Sequence, residues 1–248
     1  MSQTSIIIIQ TGTPPEDIRQ KYGDLPDWFS QAMGIPLQEI EVVRVFEGQP
    51  LPAQDPSRLA VITGSWAMVT EKLSWSELTA EWIRQAMAIN MPLFGVCYGH
   101  QLMSYALGGE VRYLDCIRET GCLQVSLKEA ARQDPLVGQL PEHFPAHLTH
   151  MQTVSRLPDG AIALASSAVD SHQIVRYGPN AVSTQFHPEF SVAAAKAMIE
   201  RRSTELDNEG RDSQSLIAGV TQTPDASGLL TRFIAMQLKN NAPIALSA

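Results

Sequence analysis

Basic charge, cysteine and long hydrophobic runs are all scarce in this sequence of 248 residues. Lysine and arginine total 18 against 26 acidic residues, and the net charge of -8 leaves no basic surface for nucleic acid or an anionic membrane. The isoleucine run within 5–10 is too short for the apolar core of a secretory signal and far too short for a membrane span. The sequence therefore predicts a cytoplasmic protein without nucleic-acid or membrane partners.

Cysteine occurs three times, at Cys97, Cys116 and Cys122. An odd number of cysteines in a chain without an export signal fits a reducing compartment, where a special cysteine would serve through its reactivity. The phosphate-binding patterns G-x-x-x-x-G-K-[ST] and, after a strand, G-x-G-x-x-G are missing as well. We therefore predict no ATP chemistry and no cofactor.

The first half of the sequence contains short apolar runs that alternate with longer amphipathic stretches, a pattern typical of an α/β fold with a parallel sheet. Strands are predicted at 5–10, 39–48, 59–65 and 93–97. A broken helix is predicted over 15–33, a second helix over 74–91, and a third from Tyr98 to the glycine pair 108–109.

The second half has shorter runs between turn residues, with strands predicted at 122–127, 161–167, 172–178 and 181–190 and a helix around 131–140. We interpret these strands as an antiparallel or mixed extension of the same sheet. A helix over 191–202, a polar connecting stretch over 203–228 and a terminal helix over 229–239 follow. The sequence thus predicts one α/β domain over 1–248, with its core at about 5–200 and a mainly parallel central sheet flanked by helices.

A thiol stands where the fourth predicted strand meets a helix, in the segment Gly95-Val96-Cys97-Tyr98-Gly99. A residue on such a turn is presented above the carboxyl edge of the sheet, and the glycines allow a strained backbone and close approach of substrate. The helix beyond Cys97 directs backbone N–H groups at the sulfur, which favours the nucleophilic thiolate. The pattern is a nucleophile elbow with sulfur in place of oxygen, although a buried core cysteine is the plainer interpretation of Cys97 alone.

A cysteine nucleophile needs a base and a third group that orients the base. His187 is the best candidate for the base, because it ends a predicted strand, Pro188 fixes the chain after it, and Glu189 follows two residues later. This tripeptide would place an imidazole and a carboxylate on the same edge of the sheet as Cys97.

Other histidines offer two competing assignments. His100 is close to Cys97 in sequence, but three positions into the predicted helix its side chain is better explained by local packing. A metal site could be built from His143, His147 and His150, yet Pro145 breaks the helix that would align the first two, and no carboxylate or cysteine spacing supports it. We therefore predict no metal site.

Together the motifs resemble those of class I, triad-type glutamine amidotransferases, in particular the glutaminase domain of GMP synthetase and its stand-alone relatives. The matching segments are GVCYGHQ (95–101), FHPEF (186–190) and VITGS (61–65), and the resemblance covers about 6–199. It implies a flavodoxin-like domain that hydrolyses the side-chain amide of glutamine to glutamate and ammonia. By this resemblance Cys97 forms a γ-glutamyl thioester, His187 is general base and acid, and Glu189 orients His187.

The same resemblance assigns the oxyanion hole to the backbone N–H groups of Gly64 and Tyr98. It assigns substrate binding to Gln101, His150, Met151 and Gln152. Relatives of the GMP synthetase type usually have an acidic residue at the position of Gln152 and a second glycine at the position of Ser65. Both departures point away from strict specificity for free glutamine.

Few residues follow Glu189, so we expect no ammonia-accepting domain in this sequence. The substrate would be glutamine or another γ-glutamyl compound, and two outcomes are open. The chain could be the glutaminase subunit of a two-chain amidotransferase with a separate synthase partner, or a self-sufficient hydrolase of γ-glutamyl peptides or amides. A third hypothesis, from a different class, is a catalytically silent binding or regulatory module on the same fold.

Overall fold

The computed structural model describes residues 5–115 and 118–240, so Cys116 lies outside the described residues. Within these ranges eleven strands form one nine-stranded and one two-stranded sheet. The strands are β1 (Ile6–Gln10), β2 (Ile40–Arg44), β3 (Leu59–Ile62), β4 (Leu93–Val96), β5 (Glu110–Tyr113), β6 (Glu119–Leu127), β7 (His143–His150), β8 (Gln152–Arg156), β9 (Ile162–Ser166), β10 (Ile174–Gly178) and β11 (Ala181–Thr184).

The large sheet is parallel on one side and antiparallel on the other. Its order is β2-β1-β3-β4-β11-β10-β9-β6-β7, and the four pairings from β2 to β11 are parallel. The pairings from β11 to β7 are antiparallel, while β5 and β8 pair separately. The predicted α/β fold, with a mainly parallel central sheet and an antiparallel extension, is confirmed.

Helices cover both faces of the parallel strands. They are α1 (Glu16–Tyr22), α2 (Leu25–Met33), α3 (Ser74–Ala88), α4 (Tyr98–Ala106), α5 (Val192–Arg201), α6 (Ser203–Asn208), α7 (Ser213–Ala218) and α8 (Pro224–Asn240). Because side chains of a strand alternate between faces, Ile6 and Ile8 of β1 join the core cluster that includes α2 and α8. Ile7 and Ile9 join the opposite cluster, with α3 and α4. No helix within the described ranges is long and apolar enough to cross a membrane.

The prediction of a helix around 131–140 is wrong. A short 3-10 helix, Glu129–Gln133, ends before Asp134, whose backbone is extended with ψ 127°. Pro135 explains this ending, because proline disfavours a helical conformation in the residue before it. Asp134 then accepts hydrogen bonds from the N–H groups of Leu136 and Val137 and pairs with Arg176 of β10, which fixes a turn in place of a helix.

The C-terminal segment is more regular than predicted. The stretch 203–228, expected to be a polar connection, contains α6, α7 and the first residues of α8. The Asp212 side chain caps α7 by accepting a hydrogen bond from the N–H of Ser215. The last helix begins at Pro224, not at 229, because proline fits the first position of a helix, where no N–H partner is needed.

Sequence analysis missed three strands, namely β5, β7 and β8. The strand β7 pairs with β6 over its whole length and is the edge strand of the sheet. Pro145 is tolerated there because an edge strand has one side without ladder partners. The strand predicted over 181–190 ends at Thr184, so His187 and Glu189 lie in the loop that follows β11.

Candidate active site

Cys97 lies on a sharp turn between β4 and α4, as the sequence predicts. Its backbone has φ 51° and ψ -98°, a left-handed conformation that is rare for a residue other than glycine. The Cys97 N–H donates to the carbonyl oxygen of Thr184 at 2.8 Å, which ties the turn to the end of β11. The side chain is buried, with 7% exposure, and stands at the N-terminus of α4. Backbone strain at this one residue is typical of a nucleophile elbow.

The glycines on either side of Cys97 permit this turn. A Cβ added to Gly95 would lie 2.7 Å from the backbone of Gly99, and a Cβ on Gly99 would lie 2.4 Å from the carbonyl oxygen of Ile62. Both distances are far shorter than van der Waals contact, so α4 can approach β4 and β3 this closely only if these positions lack side chains.

His187 and Glu189 lie close to Cys97 although they follow a different strand. The backbone N–H of His187 donates to the carbonyl oxygen of His147 at 2.9 Å, which fixes the loop after β11. The His187 Nδ1–H donates to Glu189 Oε1 at 2.7 Å, and the imidazole stacks on the ring of Phe190 with centroids 4.0 Å apart. All three side chains are buried, so the imidazole is held from two sides.

The electrostatics of this group favour a protonated imidazole. Burial alone would lower the pKa of His187, but the Glu189 carboxylate and the neighbouring Cys97 sulfur outweigh it and raise this pKa to about 10. The His187 Nε2 atom is buried and, because Nδ1 is bonded to Glu189, it is the ring nitrogen that remains for the neighbouring Cys97 sulfur or a reacting group. An imidazolium beside a thiol can stabilise the thiolate and later donate its proton to a leaving group.

Gly64 lies directly against these residues. A Cβ at Gly64 would be 3.2 Å from His187 Cε1 and 3.7 Å from Cys97 Cβ. The preceding carbonyl, that of Thr63, accepts a hydrogen bond from the Gly99 N–H at 3.1 Å. Because a trans peptide directs its C=O and N–H to opposite sides, the Gly64 N–H points away from Gly99.

The N–H of Tyr98 is the second predicted donor for an oxyanion. Tyr98 is the first residue of α4, so its N–H has no acceptor within the helix. Neither this N–H nor that of Gly64 donates a hydrogen bond elsewhere in the described part of the chain. Both groups are therefore available beside the Cys97 sulfur.

A cavity lies over Cys97, with about 620 Å³ of empty space when its open mouth is included. The structure brings all predicted binding residues to its wall, namely Gln101, His150, Met151 and Gln152. Further residues that line it are Leu25, Gly64, Ser65, Trp66, Ala67, Met68, Tyr98, Thr149, His187, Phe190, Met198 and Arg202.

A hydrogen-bond network positions the polar part of this wall. The Gln101 Nε2 group donates to the carbonyl oxygen of Gln152 at 2.8 Å and to Gln185 Oε1 at 2.9 Å. His150 bonds the same Gln152 carbonyl through Nδ1 and Glu119 Oε2 through Nε2, each at 2.9 Å. The network therefore connects α4, which follows Cys97, to the segment between β7 and β8.

The alternative histidine assignments find no support in the geometry. His100 is fully buried, bonds Ser183 Oγ at 2.7 Å, and has its pKa lowered to about 3 by burial and the neighbouring histidines. Of the proposed metal ligands, His143 contacts Ser126, His147 contacts Thr221 and His150 contacts Glu119. In the ranges that the structure describes, no group of three His, Cys, Asp or Glu residues could hold a metal ion.

Sequence reasoning missed Arg202, which follows α5 and reaches the cavity wall. Its sequence context, Glu-Arg-Arg at the end of an amphipathic helix, is typical of a solvated surface. The only available signal was the proximity of 191–202 to the FHPEF motif, which does not indicate where the guanidinium points.

Comparison with known proteins identifies the family of the chain. The model of the glutamine amidotransferase class-I family matches residues 40–205. The glutamine amidotransferase-like protein YfeJ of Salmonella typhimurium is 33% identical over 178 residues, 68% of this chain and 72% of that protein. A glutamine-hydrolyzing GMP synthase subunit of Methanococcus maripaludis is 34% identical over 107 residues, 43% of this chain and about half (54%) of that protein.

Two further relatives extend the match over most of the chain. Gamma-glutamyl peptidase 4 of Arabidopsis thaliana is 26% identical over 209 residues, 81% of this chain and 82% of that protein. A crystal structure of a glutamine amidotransferase from Thermotoga maritima superposes on this chain with a TM-score of 0.75 at 20% sequence identity. The superposition covers 96% of this chain and 100% of that protein, and it establishes that the two have the same fold. The chain belongs to the class I glutamine amidotransferase family.

Proposed function

We propose that the chain is a cysteine-dependent enzyme that hydrolyses the side-chain amide of a glutamine-type substrate. The Cys97 thiolate attacks the carboxamide carbon, and the tetrahedral intermediate collapses to a γ-glutamyl thioester as the His187 imidazolium protonates the departing nitrogen. Water then attacks the thioester while His187 removes its proton, which releases the acid and the Cys97 sulfur. Glu189 keeps the imidazole in the required tautomer and orientation.

The observation that carries this proposal is the arrangement of His187 between Glu189 and Cys97. The 2.7 Å bond to Glu189 occupies Nδ1, which leaves the buried Nε2 atom for the Cys97 sulfur, and Cys97 is one of the groups that raise the pKa of this imidazole. A histidine that merely filled the core would need neither a buried carboxylate on one nitrogen nor a strained cysteine beside the ring. The N–H groups of Gly64 and Tyr98 would stabilise the oxyanion in both steps.

A specific observation favours the self-sufficient hydrolase over a glutaminase subunit that waits for its synthase partner. The loop that carries Gly64 is already fixed: Ser65 Oγ donates to the Thr11 carbonyl at 2.7 Å and accepts from the Ala67 N–H at 3.1 Å. The Gly64 carbonyl accepts from the Thr11 hydroxyl at 2.8 Å. An oxyanion loop with these bonds needs no partner to assemble it, and the long match to a gamma-glutamyl peptidase fits the same conclusion.

The proposal is tested by the release of ammonia or amine from glutamine, from a panel of γ-glutamyl peptides and from the α-N-acetyl derivatives of both, by the purified full-length chain. The Cys97→Ala variant should lose at least about a thousandfold in rate. Cys122→Ser is the matched control, because Cys122 is a free, half-buried cysteine away from the cavity.

Each outcome of this assay selects one hypothesis. Turnover of peptides that depends on Cys97 supports a self-sufficient hydrolase. Slow hydrolysis of glutamine alone points to a missing synthase partner. Loss of activity in Cys122→Ser, or equal activity in Cys97→Ala, contradicts the assignment of the nucleophile, and no turnover of any substrate favours the silent module.

A further inference from the structure

The charge of the cavity wall differs from what recognition of a free amino acid requires. A free glutamine carries an α-ammonium and an α-carboxylate, and each would need a counter-charge when desolvated. Among the described residues that line the cavity there is neither aspartate nor glutamate, whereas Arg202 contributes a guanidinium. Among the described residues, the wall therefore has a charged partner for a carboxylate and no charged partner for an ammonium.

The Arg202 guanidinium is not neutralised by the protein around it. Its Nη1 group donates to the Thr149 hydroxyl at 3.1 Å, and in the described ranges no carboxylate lies within ion-pair distance. The nearby acidic residues Glu205 and Glu209 instead pair with Arg118, at 3.1 and 2.8 Å. The bidentate geometry of a guanidinium suits a carboxylate of the substrate.

The electrostatic surroundings of Arg202 also favour an incoming anion. Burial and the nearby Arg118 lower the pKa of Arg202, while Glu205 and the Cys97 sulfur act in the opposite direction. A partly desolvated cation that is repelled by a second arginine gains more from a carboxylate ligand than an exposed cation would. Arg202 and Cys97 also line the same cavity.

Gln152 offers a neutral acceptor where the resemblance led us to expect a carboxylate. Its Nε2 group donates to the Thr70 hydroxyl at 2.6 Å, and its Oε1 atom is buried without a partner in the described part of the chain. The residue is only 1% exposed, although it lines the cavity. An amide oxygen in this position can accept an N–H from an acylated nitrogen but cannot supply the charge that an ammonium needs.

We propose that Arg202 binds the α-carboxylate of the acyl donor and that the cavity selects side-chain amides whose α-nitrogen is acylated or absent, in preference to free glutamine. This inference rests on the proposed function, because it names the substrate class of the same site. Suitable substrates are α-N-acylglutamines, including peptides with glutamine at the carboxyl terminus, α-N-acylated γ-glutamyl peptides and monoamides of glutaric acid. γ-Glutamyl peptides with a free α-ammonium are disfavoured in the same way as free glutamine.

Binding can be measured without turnover by calorimetry on the full-length Cys97→Ser variant. The ligands are N-acetylglutamine, N-acetylglutaminamide, which lacks the carboxylate, and free glutamine. We expect N-acetylglutamine to bind about tenfold more tightly than either of the others. Arg202→Met should abolish the difference between the first two ligands, and Arg202→Lys should retain part of it.

Two further variants complete the test. Arg201→Met is the matched control, because Arg201 is an exposed neighbour that pairs with Asp17, and it should keep the preference for the carboxylate. Gln152→Glu restores the acidic group and should shift the preference towards free glutamine by about tenfold. The inference is overturned if Arg202→Met retains the carboxylate preference while folded, or if free glutamine binds most tightly to the unaltered cavity.

Failure of this inference is distinguishable from failure of the proposed function. Hydrolysis of these amides by the wild-type chain, dependent on Cys97 but insensitive to Arg202→Met, would overturn the inference alone. The expected binding pattern without any turnover by the wild-type chain would support the binding site and contradict the proposed chemistry.

Discussion

Two groups of segments contribute different parts of the same cavity. The parallel strands provide what we call the reactive edge, composed of Gly64 after β3, Cys97 after β4 and His187 after β11. The recognition wall comes from elsewhere and consists of 149–152, at the junction of β7 and β8, together with Arg202 after α5. The proposed chemistry is thus assigned to the carboxyl ends of adjacent strands, whereas the proposed selectivity depends on segments that meet only in the folded chain.

This difference has a physical origin. A strained elbow requires a strand, a turn and a helix that follow one another in sequence, with glycines where the backbones touch. A binding wall has no such local requirement, since a side chain from any element can reach the cavity. The reactive edge should therefore tolerate little change, whereas the recognition wall can vary and alter the substrate.

The largest expected effect is a loss of kcat on substitution of His187 in the reactive edge. His187→Gln removes the proton donor and acceptor while keeping a polar side chain of similar size, so kcat should fall at least about a thousandfold on every substrate, without a change in substrate preference. The measurement is steady-state kinetics on at least two substrates. His143→Gln, at an exposed histidine of β7, is the control. Activity within tenfold of the wild type would contradict the assignment of the base.

A smaller effect, on stability and on kcat, is expected from substitution of Gly99, where α4 contacts β3. Gly99→Ala would push a methyl group to 2.4 Å from the Ile62 carbonyl oxygen, and relief of this clash must shift α4 away from β3. We expect the free energy of unfolding to fall by about 1–3 kcal/mol. Because Tyr98 and Gly64 would separate, kcat should fall as well.

Urea denaturation and kinetics on the same preparation measure both effects of Gly99→Ala. Gly178→Ala is the matched control, since the nearest neighbour to its added Cβ lies at 3.9 Å. A Gly99→Ala protein with wild-type stability and wild-type kcat would show that the close approach of α4 to β3 is not required.

The sequence was most informative about the reactive edge, because each of its motifs is contiguous. The strand, the glycines and the cysteine of 95–99 are adjacent in the chain, so the elbow could be predicted before its φ of 51° was seen. The pairing of His187 with Glu189 is equally local, and the two-residue spacing suffices for a hydrogen bond of 2.7 Å.

The recognition wall was predicted only where the family resemblance named its residues. Arg202 is about a hundred positions from Cys97, and no periodicity in the sequence indicates that the end of α5 meets this cavity. The strands β7 and β8 were missed because their runs, rich in histidine, threonine and polar residues, lack a clear apolar alternation. Distant contacts of this kind are set by tertiary packing, which local patterns do not report.

The smallest effect is expected at Gln101, the residue that links the reactive edge to the recognition wall. Its substitution should change substrate binding more than the rate of the chemical step. Gln101 follows Cys97 on α4, yet its Nε2 group bonds the Gln152 carbonyl of the recognition wall and the side chain of Gln185. Gln101→Leu keeps the volume but removes both bonds, so the wall should loosen while the elbow is kept. We expect KM to rise about tenfold, equivalent to about 1.4 kcal/mol, with kcat within about threefold of the wild type.

The control for Gln101→Leu is Gln85→Leu, at an exposed glutamine of α3, which should leave both constants unchanged. Kinetics on one substrate with an α-carboxylate and one without it sharpen the comparison of the two parts. If Gln101→Leu raises KM equally for both substrates, Gln101 acts through the shape of the cavity. If it raises KM mainly for the substrate with the carboxylate, Gln101 positions the residues Thr149 and Arg202. A fall in kcat larger than the rise in KM would contradict the division of tasks, because the reactive edge would then depend on the recognition wall for its own geometry.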